Sequence, residues 1–149
     1  MSEQQPHRVN FALVKIITEN LDLMPDALEE GKPAKINTGL NFGIERDRKL
    51  VKVQYQNAFQ QNEKDFIVIE VACIFAIDEE SWALFSSKVE GKFILPKGLA
   101  GHLATLTAST ARGILHNETE GTSLNRYMIP ANNISEMLPS DVNLDLENN

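Results

Sequence analysis

The sequence has few of the residues that build disulfides, metal sites or membrane spans. Only one of its 149 residues is a cysteine, Cys73, so it can form neither a disulfide framework nor a site with several cysteine ligands. No run approaches the roughly 18 apolar residues that a membrane helix needs, so we expect no membrane insertion. The segment from Met1 to Asn10 is polar and lacks the apolar core of a secretory signal. We therefore expect a soluble, cytoplasmic protein.

Basic residues are also scarce. The chain has 14 Lys and Arg against 21 Asp and Glu, a formal net charge of −7, whereas affinity for phosphate backbones comes mainly from clustered Lys and Arg. We expect no nucleic-acid partner. With 42% hydrophobic and 23% charged residues, the composition is typical of a globular protein. The length fits one domain over residues 1–149, with residues 1–10 and 140–149 as flexible tails.

Catalytic patterns are missing as well. The sequence contains no Gly-x-Gly-x-x-Gly, no phosphate loop and no His-Glu-x-x-His. Cys73 lies in an apolar run, which favours an inert core thiol over a nucleophile. His116 precedes Glu118 and Glu120, but a solvated turn explains this spacing better than a metal site does. Glu70, in a long apolar strand, is more readily a surface residue or the partner of a Lys across the ladder than a catalytic base. We expect no enzymatic activity, no metal and no cofactor.

The first half of the chain predicts strands. Residues 11–23 are rich in Ile, Val and Leu, which favours one strand or two short ones. Apolar and polar residues alternate over 40–44 and again over 51–55, and a charged turn lies between them, so these segments form a hairpin. Residues 66–77 are apolar on both faces apart from Glu70, which predicts a central strand whose second face needs cover.

Two helices are predicted after the strands. Asp78 can cap a short helix over residues 79–86. A long helix over residues 97–116 has an apolar stripe at near-helical spacing beside a row of alanines. The predicted fold class is α+β, a four-strand antiparallel sheet followed by a short and a long helix, with a short extended segment over residues 127–130. The stripe comprises Leu99, Leu103, Leu106 and Ile114, and the small row comprises Ala100, Ala104, Ala108 and Ala111.

Several short motifs occur in an order that resembles one family of proteins, the SecB-like export chaperones. The motifs are Lys15–Leu23, Leu40-x-Phe42-x-Ile44, Ile74-Phe75-Ala76-Ile77, Arg112-Gly113 and Ile129–Asn132. They resemble the family's first and second strands, the end of its fourth strand, the end of its main helix and the segment that follows. The resemblance extends from Lys15 to Leu138. Residues 94–102 depart from it, because they replace the family's Cys-Pro-Asn-x-Leu-Phe-Pro-Tyr-Ala-Arg entry to the main helix.

The resemblance implies a chaperone that holds unfolded or non-native polypeptides without ATP, with preproteins for Sec-dependent export as candidate clients. It also implies a homotetramer built as a dimer of dimers, and the export ATPase SecA as a candidate partner. A groove with apolar and aromatic walls would bind extended segments. Core packing is the competing interpretation for each large side chain. The candidate groove residues are Leu40, Phe42, Ile44, Trp82 and Phe85.

The altered helix entry leaves other functions open. One alternative is a chaperone dedicated to a single partner, such as one attached to a toxin and antitoxin pair. Another is a domain that binds a small apolar ligand or serves only in assembly. Both chaperone hypotheses use the same groove to bind polypeptide. The third hypothesis differs from them in the bound molecule, which would be a small apolar ligand or none.

Overall fold

The structure, a computed structural model, describes residues 8–87, 91–131 and 134–146. Its main element is a four-stranded antiparallel sheet in the order β1-β4-β3-β2. This confirms the predicted sheet, the hairpin and a central position for the strand that is apolar on both faces. The strands are β1 (Phe11–Leu23), β2 (Lys35–Glu45), β3 (Leu50–Gln61) and β4 (Lys64–Ile77).

The two central strands supply most of the core. Val51 and Val53 of β3 lie opposite Phe75 and Cys73 of β4, and all four side chains are fully buried. They share one face because side chains alternate along a strand. Burial of Cys73 agrees with the prediction of a core thiol. Glu70 projects from the other face, where its ladder neighbours are Asn20 and Gln56 rather than the expected Lys.

The turn between β3 and β4 has an unusual backbone. Asn62 and Glu63 form it, and both have positive φ, 51° and 64°. This combination is the type I′ turn, which follows the right-handed twist of a hairpin and prefers Asn followed by Gly. Asn62 suits the left-handed region, whereas Glu63 carries a Cβ there at an energetic cost.

Two helices follow the sheet, as predicted. The short helix α1 spans Glu79–Phe85, and the Asp78 side chain caps it by accepting a hydrogen bond from the backbone N–H of Ser81 at 3.0 Å. The long helix α2 spans Lys97–Glu118 and packs across β3 and β4. Its buried face comprises the alanine row with Gly101, Leu103, Thr107 and Leu115, whereas Leu106 remains 37% exposed. The small side chains therefore face the sheet and allow close packing.

A second, smaller sheet was not predicted. It contains β5 (Ser86–Ser87), β6 (Lys92–Leu95) and β7 (Val142–Asp145), in that order. The sequence assigns residues 140–149 to a flexible tail, yet residues 142–145 form a strand paired antiparallel with β6.

The remaining described chain forms short turns and extended links. Residues 127–130 have no regular secondary structure, although Ile129 is buried. Three short 3-10 helices lie at Pro25–Ala27, Ser123–Arg126 and Ile134–Met137. Asn132 of the closing motif, and residues 1–7 and 147–149 of the two predicted tails, lie outside the described residues.

Candidate functional site

The sheet has two edge strands, β1 and β2, and β1 carries exposed apolar side chains. Leu13, Val14 and Ile16 are 45%, 53% and 48% exposed. Large apolar side chains clustered on an open strand edge are uncommon in monomers, because they invite pairing with another chain. Two irregularities in its pairing with β4, at Val14 and Glu19, locally bend β1.

A cleft of about 480 Å³ lies near the other edge, where β2 and β3 meet the chain that follows α2. The side chains that line it are mostly apolar, and that of Met137 is 43% exposed. This volume is sufficient for a few side chains of a bound ligand. The cleft is lined by Ile36, Thr38, Tyr55, Pro130, Ile134, Glu136 and Met137.

Polar groups occupy the sheet side of the cleft. The hydroxyl of Thr38 donates to Oδ1 of Asn57 at 3.1 Å, and Nδ2 of Asn57 donates to the hydroxyl of Tyr55. Burial raises the pKa of Tyr55, although hydrogen bonds with Asn57 and Thr38 oppose the shift. The phenol therefore stays protonated at neutral pH and can act as a hydrogen-bond partner beside an apolar surface.

The wall opposite the sheet is fixed by contacts made after α2. Nε of Arg112 donates to the backbone carbonyl of Ile129 at 3.0 Å, which links α2 to the residue before Pro130. The ring of Tyr127 packs edge to face against Phe66 and Phe59, with centroid distances of 4.9 and 6.1 Å. Arg112 and Ile129 belong to two of the motifs in the resemblance, and their hydrogen bond holds the chain directly before Pro130, which lines the cleft.

The predicted groove residues fall into two groups. Leu40, Phe42 and Ile44 lie on β2, half-buried, on the same face of the strand as the cleft residues Ile36 and Thr38. Their position is continuous with the cleft along the strand.

The other two predicted residues form a separate aromatic cluster. Trp82 and Phe85 are buried, at 5% and 9% exposure, and both rings contact Phe93 of β6. Their described contacts are those of core side chains. A role for the two groups in one groove stays a prediction.

Sequence reasoning missed the far wall of the cleft. Ile134 and Met137 were not selected, although Ile134, Met137 and Leu138 recur at the i, i+3, i+4 spacing of a helical face. The polar residues between them hide this pattern in so short a segment.

The described part of the chain contains neither a cluster of metal-binding side chains nor a membrane-spanning helix. Within residues 8–87, 91–131 and 134–146, no three His, Cys, Asp or Glu side chains cluster in a way that could bind a metal ion. No helix among these residues is long and apolar enough to cross a bilayer.

Comparison with known proteins gives a distant similarity of fold. No protein-family model matches the chain, and no curated protein matches it by sequence. Among solved structures, the fold is similar to that of the Mycobacterium tuberculosis SecB-like chaperone Rv1957 in complex with a ChAD peptide from the HigA1 antitoxin. The TM-score is 0.49 and the identity 12%, with 80% of this chain and 89% of that chain covered. At this TM-score the similarity has no weight in assigning a function.

Proposed function

We propose that this chain is an ATP-independent chaperone that holds unfolded or non-native polypeptide, with the cleft as a contact site for the client. The observation that carries the proposal is the cleft of about 480 Å³, lined mainly by apolar side chains, beside the edge strand β2. Apolar walls bind exposed apolar side chains with little sequence preference. The outer edge of β2, which pairs with no other strand among the described residues, offers main-chain hydrogen bonds to an extended segment. The function needs neither a cofactor nor catalysis, and we place it in the cytoplasm.

The assembly we propose is a homotetramer, a dimer of dimers, with β1 as a contact between subunits. Leu13, Val14 and Ile16 support it, because burying them between subunits would remove an exposed apolar cluster from water. The groove residues Leu40, Phe42 and Ile44 lie on β2, at the opposite edge of the sheet. A subunit contact at β1 therefore leaves the client site open.

Aggregation assays test the proposed activity. Light scattering of an unfolded client at several-fold molar excess of the chain should show suppressed aggregation. Met137→Glu places a charge in the cleft wall and should weaken suppression, whereas Leu84→Glu is the matched control, since Leu84 is 63% exposed and does not line the cleft. No suppression by the unmodified chain, or equal suppression by both variants, would contradict the proposal.

A dedicated chaperone is the second candidate, and the polar side of the cleft favours it. Thr38 and Tyr55 place hydroxyl groups at the cleft, and the buried Asn57 behind them bonds to both. A site of this kind discriminates against ligands that leave its polar groups unpaired. Assays with several unrelated clients separate the two candidates: a general holdase, including one that passes preproteins to SecA, protects most of them, and a dedicated one protects a single partner.

A further inference from the structure

The strand β7 binds to the rest of the chain as a short extended peptide would. It adds to β6 as the last strand of the small sheet, with Leu144 opposite Phe93 and Val142 opposite Leu95. The ladder continues one residue further, where the N–H of Leu146 donates to the carbonyl of Gly91 at 2.8 Å. Main-chain pairing of an extended segment to an exposed strand edge is a general mode of peptide recognition.

The side chains of β7 follow the same mode. Val142 and Leu144 are half-buried and pack against the core, whereas Asn143 and Asp145 are exposed. The carboxylate of Asp145 forms an ion pair with Nζ of Lys92. Apolar residues at alternate positions and one acidic residue opposite a lysine therefore define what this edge accepts.

Besides its pairing with β6, β7 contacts β2, and Asp141 directly before it accepts a hydrogen bond from the backbone N–H of Lys97 at 2.8 Å, yet β7 is attached more weakly than β6. Phe93 and Leu95 of β6 are fully buried, and the ring of Phe93 also contacts Trp82 and Phe85 of α1, which are contacts that do not involve β7. β7 is only four residues long, and neither of its two packed side chains is fully buried. Segments with few buried apolar contacts open at low free energy, and an exposed ion pair adds little.

We propose that β7 is an intramolecular stand-in for a client, and that an extended polypeptide segment of a client displaces it to pair with β6. The client segment has apolar residues at alternate positions and an acidic residue opposite Lys92. The inference rests on the proposed function, since it names the kind of segment bound and a device that limits binding. A client must compete with β7 for the β6 edge, so only segments that bind this edge well displace β7. This competition keeps the chaperone from binding every extended chain.

The test uses a cross-link that fixes β7 in place. Ile94 and Asn143 lie opposite each other, so the double variant Ile94→Cys/Asn143→Cys can form a disulfide between the strands when oxidised. Its reduced form is the matched control, and the natural Cys73 is buried and does not compete. A second variant lacks residues 141–149.

The probe is a fluorescent peptide with the sequence of residues 141–147, which matches β7. If β7 occupies its site about nine-tenths of the time, its removal should tighten binding roughly tenfold. We expect the probe to bind the deletion variant best, the reduced form less and the oxidised form not at all. Equal binding by the oxidised and reduced forms would overturn the inference, and this comparison holds even if the deletion variant does not fold.

Aggregation assays on the same proteins separate this inference from the proposed function. If the reduced (dithiol) form suppresses aggregation strongly and the oxidised (disulfide) form suppresses it less, the result supports both the proposed function and the role of β7. Equal suppression in all forms overturns the role of β7 and leaves the proposed function standing. If no form suppresses aggregation of any client, the proposed function fails, and the client role of the β6 edge fails with it even where the probe binds.

Discussion

The Glu19 carboxylate on the edge strand β1 accepts a hydrogen bond from Nε2 of Gln54 on β3, at 2.7 Å, across the intervening β4. Lys52 donates to the same carboxylate at 3.0 Å. The hydrogen bond from Gln54 has the largest effect and lowers the pKa of Glu19; burial opposes this shift, and the hydrogen bond and charge of Lys52 each add a smaller lowering effect. Glu19 lies at one of the irregularities of β1, so these contacts fix the strand where its pairing is interrupted.

The first prediction concerns this contact. Glu19→Gln should lower the free energy of unfolding at pH 7 by about 0.5 kcal/mol, as partly exposed pairs do. Because the pKa is lower in the folded than in the unfolded chain, the stabilisation is complete above the ordinary value of 4.5 and is lost as pH falls through the folded value. Urea unfolding at pH 7 and pH 3 should show a smaller difference between native and variant at pH 3 than at pH 7. A difference of equal size at both pH values would contradict this cause.

The second prediction concerns the turn between β3 and β4. Glu63→Gly should raise the free energy of unfolding by about 1 kcal/mol, because glycine adopts positive φ without the clash of a Cβ. Glu63→Ala is the control, since it removes the carboxylate and keeps the Cβ, and it should give no comparable gain. Thermal unfolding of the three proteins measures both effects. Equal gains from glycine and alanine would indicate an effect of charge instead of backbone strain.

The third prediction concerns the contact between α2 and the sheet. Ala104 is fully buried, so Ala104→Leu should overfill the interface and cost about 1 to 3 kcal/mol of unfolding free energy. Thr105 is exposed on the same helix, and Thr105→Leu should change the free energy by less than about 0.5 kcal/mol. Urea unfolding of the two variants and the unmodified chain measures the change in unfolding free energy that each substitution causes. Equal effects would mean that the alanine row does not set the distance between helix and sheet.

The fourth prediction concerns assembly through β1. Light scattering after gel filtration should give the unmodified chain a mass about four times its 16.7 kDa. Ile16→Lys should reduce this mass, because a lysine on an edge strand opposes pairing with another chain. Leu84→Lys changes a more exposed leucine outside β1 and should leave the mass unchanged. A monomeric native chain, or an unaltered mass for Ile16→Lys, would rule out assembly through this edge.

The long elements could be predicted from the sequence because each carries its own periodic signal. Alternation over residues 40–44 and 51–55 predicted the hairpin, and the apolar run over 66–77 predicted the central strand, since both patterns extend over several residues. The helix over residues 97–116 was found for the same reason. Its orientation was less evident, because periodicity alone did not show that the alanines, and not Leu106, face the sheet.

The small sheet and the cleft were missed because they depend on contacts between distant segments. Ser86–Ser87 is too short to carry a pattern, and β6 is stabilised by aromatic contacts with α1. Residues 142–146 do alternate, as Val-Asn-Leu-Asp-Leu, but their acidic residues suggested a solvated tail. The burial of Trp82 and Phe85 likewise depends on Phe93, a partner that the sequence does not place.

The central claim, that non-native polypeptide binds at the cleft, is tested most directly by hydrogen–deuterium exchange of the chain alone and with an excess of an unfolded client. Exchange of the β2 and Ile134–Met137 amides reports on both walls of the cleft. Slower exchange in both segments with the client present is the predicted result. Unchanged exchange in both, in a mixture where the client is shown to be bound, would contradict it.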